Sequence, residues 1–294
     1  SNVYQTLSNK NRLRTSLILI PRGDILDNQG RALANNKKIY SILLKKDFYK
    51  DLTKVINKIN NIINHKISLS QTLVKYRNIK SNQSLKLIEN ITLKDVISLE
   101  SDPNLEEIEI IEEYIRNYKL KHSAFHVVGY IGSVSMKEMY TEKLPTRQQA
   151  FIGKDGVEKQ CNNTLKGKPG IQTFEVNAKG KHVRKVETIS PITGNNITLS
   201  INQDVQHILH KHINSYHGAI IVSDLVKQKI IGMISSPSID PNIFINRMSN
   251  QQWNKILHNK YNILVNKCIS TQYHPGSVFK IVMYLAILNN NISP

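Results

Sequence analysis

A chain of 294 residues, 40% of them apolar, has room for about two ordinary domains and is too apolar for a disordered polymer. Its 40 Lys and Arg outnumber 22 Asp and Glu for a formal charge of +18. The lysines recur singly from Lys10 to Lys280 without an arginine-rich stripe, so no nucleic acid is expected as a partner. The two cysteines, Cys161 and Cys268, lack metal-ligand spacing, which excludes a zinc ribbon and a disulfide framework.

In chain order, residues 1–20 begin polar and turn β-branched at SLILI, with no apolar run of about 18 residues here or elsewhere. Two turn signals follow in PRGDILDNQGRALA, and Ile39 to Leu44 reads as a strand. Leu52, Val55, Ile56, Ile59, Ile62 and Ile63 recur at helical spacing. Further helices are expected near Ser70 and after Thr92, whose hydroxyl suits an N-cap. Ile108 to Tyr118 alternates as a strand does, and residues 145–170 should form loop and short helix. Phe174 to Asn177 and Ile197 to Ile201 read as strands. Asn202 to Ser215 reads as an amphipathic helix with Val205, Ile208, Leu209 and Ile213 on its inner face. GAIIVSD and KIIGMIS form a hairpin by spacing, and the chain closes on a helix apolar on every side from Val278 to Leu288, a pattern expected in the middle of a domain. The pattern as a whole predicts an α+β chain of two modules joined near residue 215.

One short stretch carries chemistry. In HPGSVFK, Ser277 follows Pro275 and Gly276, and Lys280 lies three positions on; no other serine of the chain has a lysine at that distance. In a helix this spacing stacks the two side chains on one face. The helix start would set backbone N–H groups beside the hydroxyl, and an apolar surrounding would lower the lysine pKa until its amine could take the serine proton. The S-x-x-K pattern is a recognised signature of penicillin-binding proteins and class A β-lactamases.

Four ordered stretches resemble class B penicillin-binding proteins. RGDILDNQGRALA (22–34) resembles the family's first signature. Arg116, Tyr118, His126 and Gly129-Tyr130 resemble the second. GKDGVEKQCNNTLKGKPG (153–170), continued by EVNAKGKHVR (175–184), resembles the third. The fourth is GAIIVSD through SSPSIDPN to NKCISTQYHPGSVFK (218–280), including Ser236, Pro237, Ser238, Asp240, Pro241 and Asn242. Departures occur at Asn28, Lys119, Lys121, Thr271, His274 and Ile281.

The resemblance implies a membrane-proximal segment (1–20), an elongated dimerisation-type pedestal (21–190), a linker strand and helix (191–215) and the beginning of a β-lactamase-like serine acyl-transferase domain (216–294). It implies a peptidoglycan D,D-transpeptidase of the elongation type, with Ser277 as nucleophile and Lys280 as general base. No cofactor or metal is expected. The implied partners are peptidoglycan stem peptides, β-lactam antibiotics, and the membrane-embedded glycosyltransferase and shape-determining proteins of the elongation machinery. The implied place is the periplasmic face of the inner membrane, through an anchor outside this sequence. Arg22, Gly23, Asp27, Gly30, Arg116, Gly153, Gly156, Glu158, Gly170 and Arg184 are expected to hold the pedestal together rather than to react. The family also uses a downstream S-x-N loop and K-T-G strand. The sequence has no K-T-G, and its one S-x-N (200–202) lies upstream of Ser277, so the chain by itself is expected to be inactive. The alternative is a non-catalytic scaffold of the cell-wall machinery.

Overall fold

A computed structural model describes residues 13–18, 20–44, 52–63, 66–77, 84–103, 105, 107–135, 138, 151–176, 182–245 and 248–290. The polar start of the membrane-proximal segment, part of the 145–170 loop and residues 177–181 of the third signature's continuation lie outside them.

Twelve strands occur among the described residues: β1 (Leu13–Ile18), β2 (Ile25–Leu26), β3 (Ala32–Leu44), β4 (Leu85–Ile91), β5 (Ile108–Tyr118), β6 (Ile131–Ser133), β7 (Phe151–Gly153), β8 (Gly170–Val176), β9 (His182–Ile189), β10 (Ile197–Thr198), β11 (Gly218–Asp224) and β12 (Lys229–Ser236). The helices that matter below are α1 (Leu52–Ile62), α2 (Leu69–Arg77), α3 (Leu93–Glu100), α4 (Phe125–Val128), α5 (Gly156–Gln160), α6 (Asn162–Leu165), α7 (Gln203–Ile213), α8 (Asn250–Leu257), α9 (Lys267–Ser270) and α10 (Phe279–Asn289). The architecture is α+β, as the residue pattern predicts.

The first module is organised by β3. It pairs antiparallel with β5 from Ala34↔Tyr118 to Leu44↔Ile108, with β4 at its far end, and with β2, beside which β10 runs parallel. The apolar stripe of α1 explains why the far end is closed: Leu52, Val55, Ile56 and Ile59 are buried against Ile42, Leu44 and Leu85 of the sheet. Helix α3 completes that core with Val96 and Leu99. Its start is set by Thr92, which accepts from Asp95 N–H at 3.2 Å while the Asp95 carboxylate accepts from Thr92 N–H at 3.1 Å. A second core, Ile25, Leu33, Tyr118, Leu120, Val128 and Leu165, fills the other end of β3. A separate sheet, β1-β8-β9, includes a strand (β9) that the residue pattern did not reveal.

In the second module α7 packs on the β11–β12 hairpin through Leu209, Ile213 and Ile234. Its inner face differs from expectation. Ile208 is exposed and Gln206 is fully buried, because the Gln206 amide accepts from Met233 N–H at 2.6 Å and donates to the carbonyls of Ser123 (2.6 Å) and Met233 (3.0 Å). A polar side chain with all these bonds satisfied replaces an aliphatic one at the junction of the two modules.

Candidate active site

The segment leading to Ser277 is anchored to β12. Asn266 caps α9 by accepting from Cys268 N–H at 3.1 Å and donates to the His126 carbonyl at 3.3 Å. Ser235 Oγ accepts from Lys267 N–H at 3.0 Å, and the Cys268 thiol donates to the Ile234 carbonyl at 3.2 Å. Beyond this anchor the chain turns through Pro275 and Gly276 into a 3-10 turn, Gly276–Val278, that feeds α10. Ser277 therefore sits two residues ahead of the α-helix, in the turn, with Lys280 in the first turn of α10.

The surroundings depart from the expected apolar enclosure. Every residue from Ile269 to Asn290 is exposed, including Val278 at 70% and Ile281 at 64%. α10 is apolar on all sides as read from the sequence, but here it is bare instead of central. Lys280 is exposed too, without the apolar enclosure expected around it.

The motifs of the first module converge instead on a buried hub. Glu158 on α5 is fully buried and divides its carboxylate: Oε2 pairs with Arg22 Nε at 2.6 Å and Oε1 with Arg116 Nε at 2.7 Å. Arg22 also donates to the Glu158 carbonyl and to Asn162 Oδ1, both at 3.0 Å, and Arg116 donates to the Gly23 carbonyl at 2.8 Å. Burial pulls the Arg22 pKa below its ordinary value against the opposing pull of Glu158, and pushes the nearby Tyr118 phenol well above its own. The Tyr118 hydroxyl thus stays neutral and accepts from Ile131 N–H at 2.9 Å. Gly153 lies where a Cβ would come within 1.9 Å of the Glu158 carbonyl, and Gly156 opens α5 at a φ of +56°.

Asp27 forms a second buried node. It accepts from the N–H groups of Gln29 (2.9 Å) and Arg31 (2.8 Å) and from Arg31 Nε (2.9 Å) within the turn that Gly30 closes at a φ of +80°. Burial acts to raise its carboxyl pKa, and the bonds from Arg31, Gln29 and Gln203 outweigh that and hold it below the ordinary carboxylate value. Arg31 reaches on to both oxygens of Asp204 at 3.0 Å, tying the first signature to α7. Gly170 opens β8 opposite Ile18. Arg184 stands apart: it pairs with Glu175 at 2.6 Å across the β8–β9 hairpin, largely in solvent, and joins neither node.

Arg31 and Asn162 lie inside the first and third signature stretches without a role assigned to them, and residue patterns gave no hint of Asp204 or Gln206. Asn162 and Asp204 are ordinary helix-start residues in sequence, and only the fold brings them to arginines far away along the chain.

Comparison with known proteins agrees with this two-part layout. Residues 18–199 match the penicillin-binding protein dimerisation domain, and residues 218–294 match the penicillin-binding protein transpeptidase domain. A curated relative from Acinetobacter baumannii, peptidoglycan D,D-transpeptidase MrdA, is 27% identical over 282 residues, covering 94% of this chain and 42% of its own. The protein of the same name from Escherichia coli is 24% identical over 303 residues, covering 98% and 47%. The chain thus spans about half the length of these relatives. Among solved structures, penicillin-binding protein 2 of Helicobacter pylori in complex with MreC superposes with a TM-score of 0.79 at 26% identity, over 96% of this chain and 53% of that one. The same Helicobacter pylori protein without MreC gives a TM-score of 0.70 at 26% identity, over 94% and 53%. The chain belongs to the penicillin-binding protein family, with a dimerisation module followed by the start of a transpeptidase module.

Proposed function

We propose that the protein is a serine-type peptidoglycan D,D-transpeptidase in which Ser277 is the nucleophile and Lys280 its general base. The observation that carries the reading is the Ser277–Lys280 spacing at the mouth of an apolar helix, inside the segment that matches the transpeptidase domain.

The chemistry is acyl transfer in two halves. Ser277 Oγ attacks the carbonyl of the penultimate D-alanine of a stem peptide while Lys280 takes the hydroxyl proton. The C–N bond to the terminal D-alanine breaks, Lys280 returns the proton to the leaving amine, and an ester to Ser277 remains. The amine of a neighbouring stem then attacks that ester, gives its proton to Lys280, and Ser277 leaves as its alkoxide and regains the proton. The Ser277 N–H supplies one donor for the developing oxyanion, and the family's K-T-G strand supplies the other. One such donor is worth about 10²–10³ in rate, so the 294-residue chain alone is expected to turn over little.

β-Lactams would acylate the same serine. The complex with MreC formed by the Helicobacter pylori relative supports a shape-determining partner for this protein. The family resemblance adds a membrane-embedded glycosyltransferase as a second proposed partner and the periplasmic face of the inner membrane as the proposed place. Labelling with a fluorescent penicillin tests the reading. A longer form bearing the S-x-N and K-T-G elements should label, its Ser277→Ala variant should not, and equal labelling of the two rejects Ser277.

A further inference from the structure

The first module carries one cleft that lies outside the Ser277 segment. It has a volume of about 620 Å³, within the range typical of small-molecule sites, and lies where the chain before β2 and the segment before β10 meet the middle of β3 and β5. Its walls carry Asp24, Asn35, Tyr114, Thr193, Asn195 and Asn196.

The lining chemistry is that of a neutral, hydroxylated ligand. The charged groups at the cleft are already engaged, Arg22 by Glu158 at 2.6 Å, Lys38 by Glu112 at 2.6 Å and the Asp24 carboxylate by the Asn36 amide at 3.1 Å, so no free positive charge invites an anion. Amides dominate what is left. Asn35 Oδ1 accepts from Asn117 at 3.0 Å and Asn196 Oδ1 accepts from Asp24 N–H at 2.8 Å. Among the described residues, the NH₂ groups of both and the side chains of Asn195 and Thr193 hold no partner. Unengaged amide and hydroxyl groups match the donors and acceptors of sugar hydroxyls and acetamides. Tyr114 adds an exposed ring at the rim, an apolar face on which a pyranose can lie. The floor is preformed, because a Cβ at Gly23 would stand 2.1 Å from the Asn195 carbonyl, and only glycine lets the two segments close.

We propose that this cleft binds an N-acetylhexosamine glycan, so that the first module holds the sugar strand of the polymer whose peptides the second module would cross-link. The choice of glycan rests on the proposed transpeptidase reading. The experiment is a titration of the ¹⁵N-labelled chain with tri-N-acetylchitotriose, following asparagine side-chain NH₂ resonances by NMR, with inorganic phosphate as the anionic comparison. Saturable shifts with the sugar are expected, none with phosphate, and at least tenfold weaker binding in the Asn35→Ala/Asn195→Ala double variant. The surface variant Tyr114→Ala, chosen because it leaves the amides in place, should weaken sugar binding as well. Absence of saturation by the sugar, saturation by phosphate instead, or undiminished binding in both variants overturns the proposal. Penicillin labelling of Ser277 does not involve the cleft, so failure here and failure of the transpeptidase reading are separately visible.

Discussion

Asn242 grips the backbone of Tyr118 from the opposite module: its Oδ1 accepts from Tyr118 N–H at 2.9 Å and its Nδ2 donates to the Tyr118 carbonyl at 3.0 Å. The same amide donates to Asp240 at 2.7 Å, which fixes its orientation. Tyr118 in turn ends β5 beside the Arg116–Glu158 pair. The SSPSIDPN stretch is therefore the joint through which the transpeptidase segment rests on the ionic hub.

Replacing Asn242 by Ala should leave both Tyr118 groups unpaired at a half-buried joint and cost about 1–3 kcal/mol. Asn242→Asp keeps the acceptor but sets a carboxylate against the Tyr118 carbonyl, and should cost at least as much. Urea midpoints of the three proteins check the order, with a loss below about 0.5 kcal/mol for both variants counting against the joint.

Glu158→Ala should be among the most damaging single changes in the first module. It removes the shared partner of two arginines, one of them fully enclosed, and uncompensated buried charge costs about 3–5 kcal/mol. Arg184→Ala, which cuts only a solvent-washed pair, should change stability by less than about 0.5 kcal/mol. Thermal unfolding of the two variants side by side measures the contrast.

Gly153→Ala and Gly30→Ala separate packing from backbone conformation. At Gly153 the new methyl meets the Glu158 carbonyl at 1.9 Å, so the hub must move and a loss of several kcal/mol is expected. At Gly30 nothing lies within 4 Å, and the left-handed φ alone should cost about 1 kcal/mol. Similar losses at the two positions would contradict the close approach assigned to Gly153.

Acid should loosen the joint through His126. Its imidazole Nε2–H donates to the Ile263 carbonyl at 2.9 Å, and burial, with Lys267 opposing protonation and Asp155 and that bond favouring it, lowers its pKa from 6.5 to about 4. Below pH 6.5 the unfolded chain takes up a proton that the folded one resists, so stability falls as pH drops from 6.5 towards 4. At pH 5.5 this amounts to about 1.4 kcal/mol. Asp27, held below its ordinary value of 3.8, adds further loss as pH falls through that value. Denaturation midpoints at pH 7.5 and 5.5 should differ in the native chain and differ less in His126→Gln.

Local order was readable wherever one face of an element meets the core. The stripe of α1 and the β11–β12 hairpin follow from spacing alone. β4 and β9 were not readable: LKLIENI mixes buried and exposed positions without alternation, and HVRKVETI is an exposed edge strand whose polar residues carry no inward face. Partners distant in sequence were invisible for the same reason that makes them strong. Arg116 and Glu158 sit on unrelated elements, and no local pattern encodes which carboxylate an arginine will reach. At the candidate site the serine–lysine spacing was plain in the residues, while the exposure of α10 depends on what covers it and is not a property of its own sequence.

The most direct measurement is mass-spectrometric mapping of benzylpenicillin adducts on a form of the protein that carries the family's S-x-N and K-T-G elements. The serine–lysine mechanism predicts one penicilloyl group, on the peptide containing Ser277, forming at least a hundredfold more slowly in Lys280→Met. An adduct on any other residue, or an unchanged rate without the Lys280 amine, would contradict it.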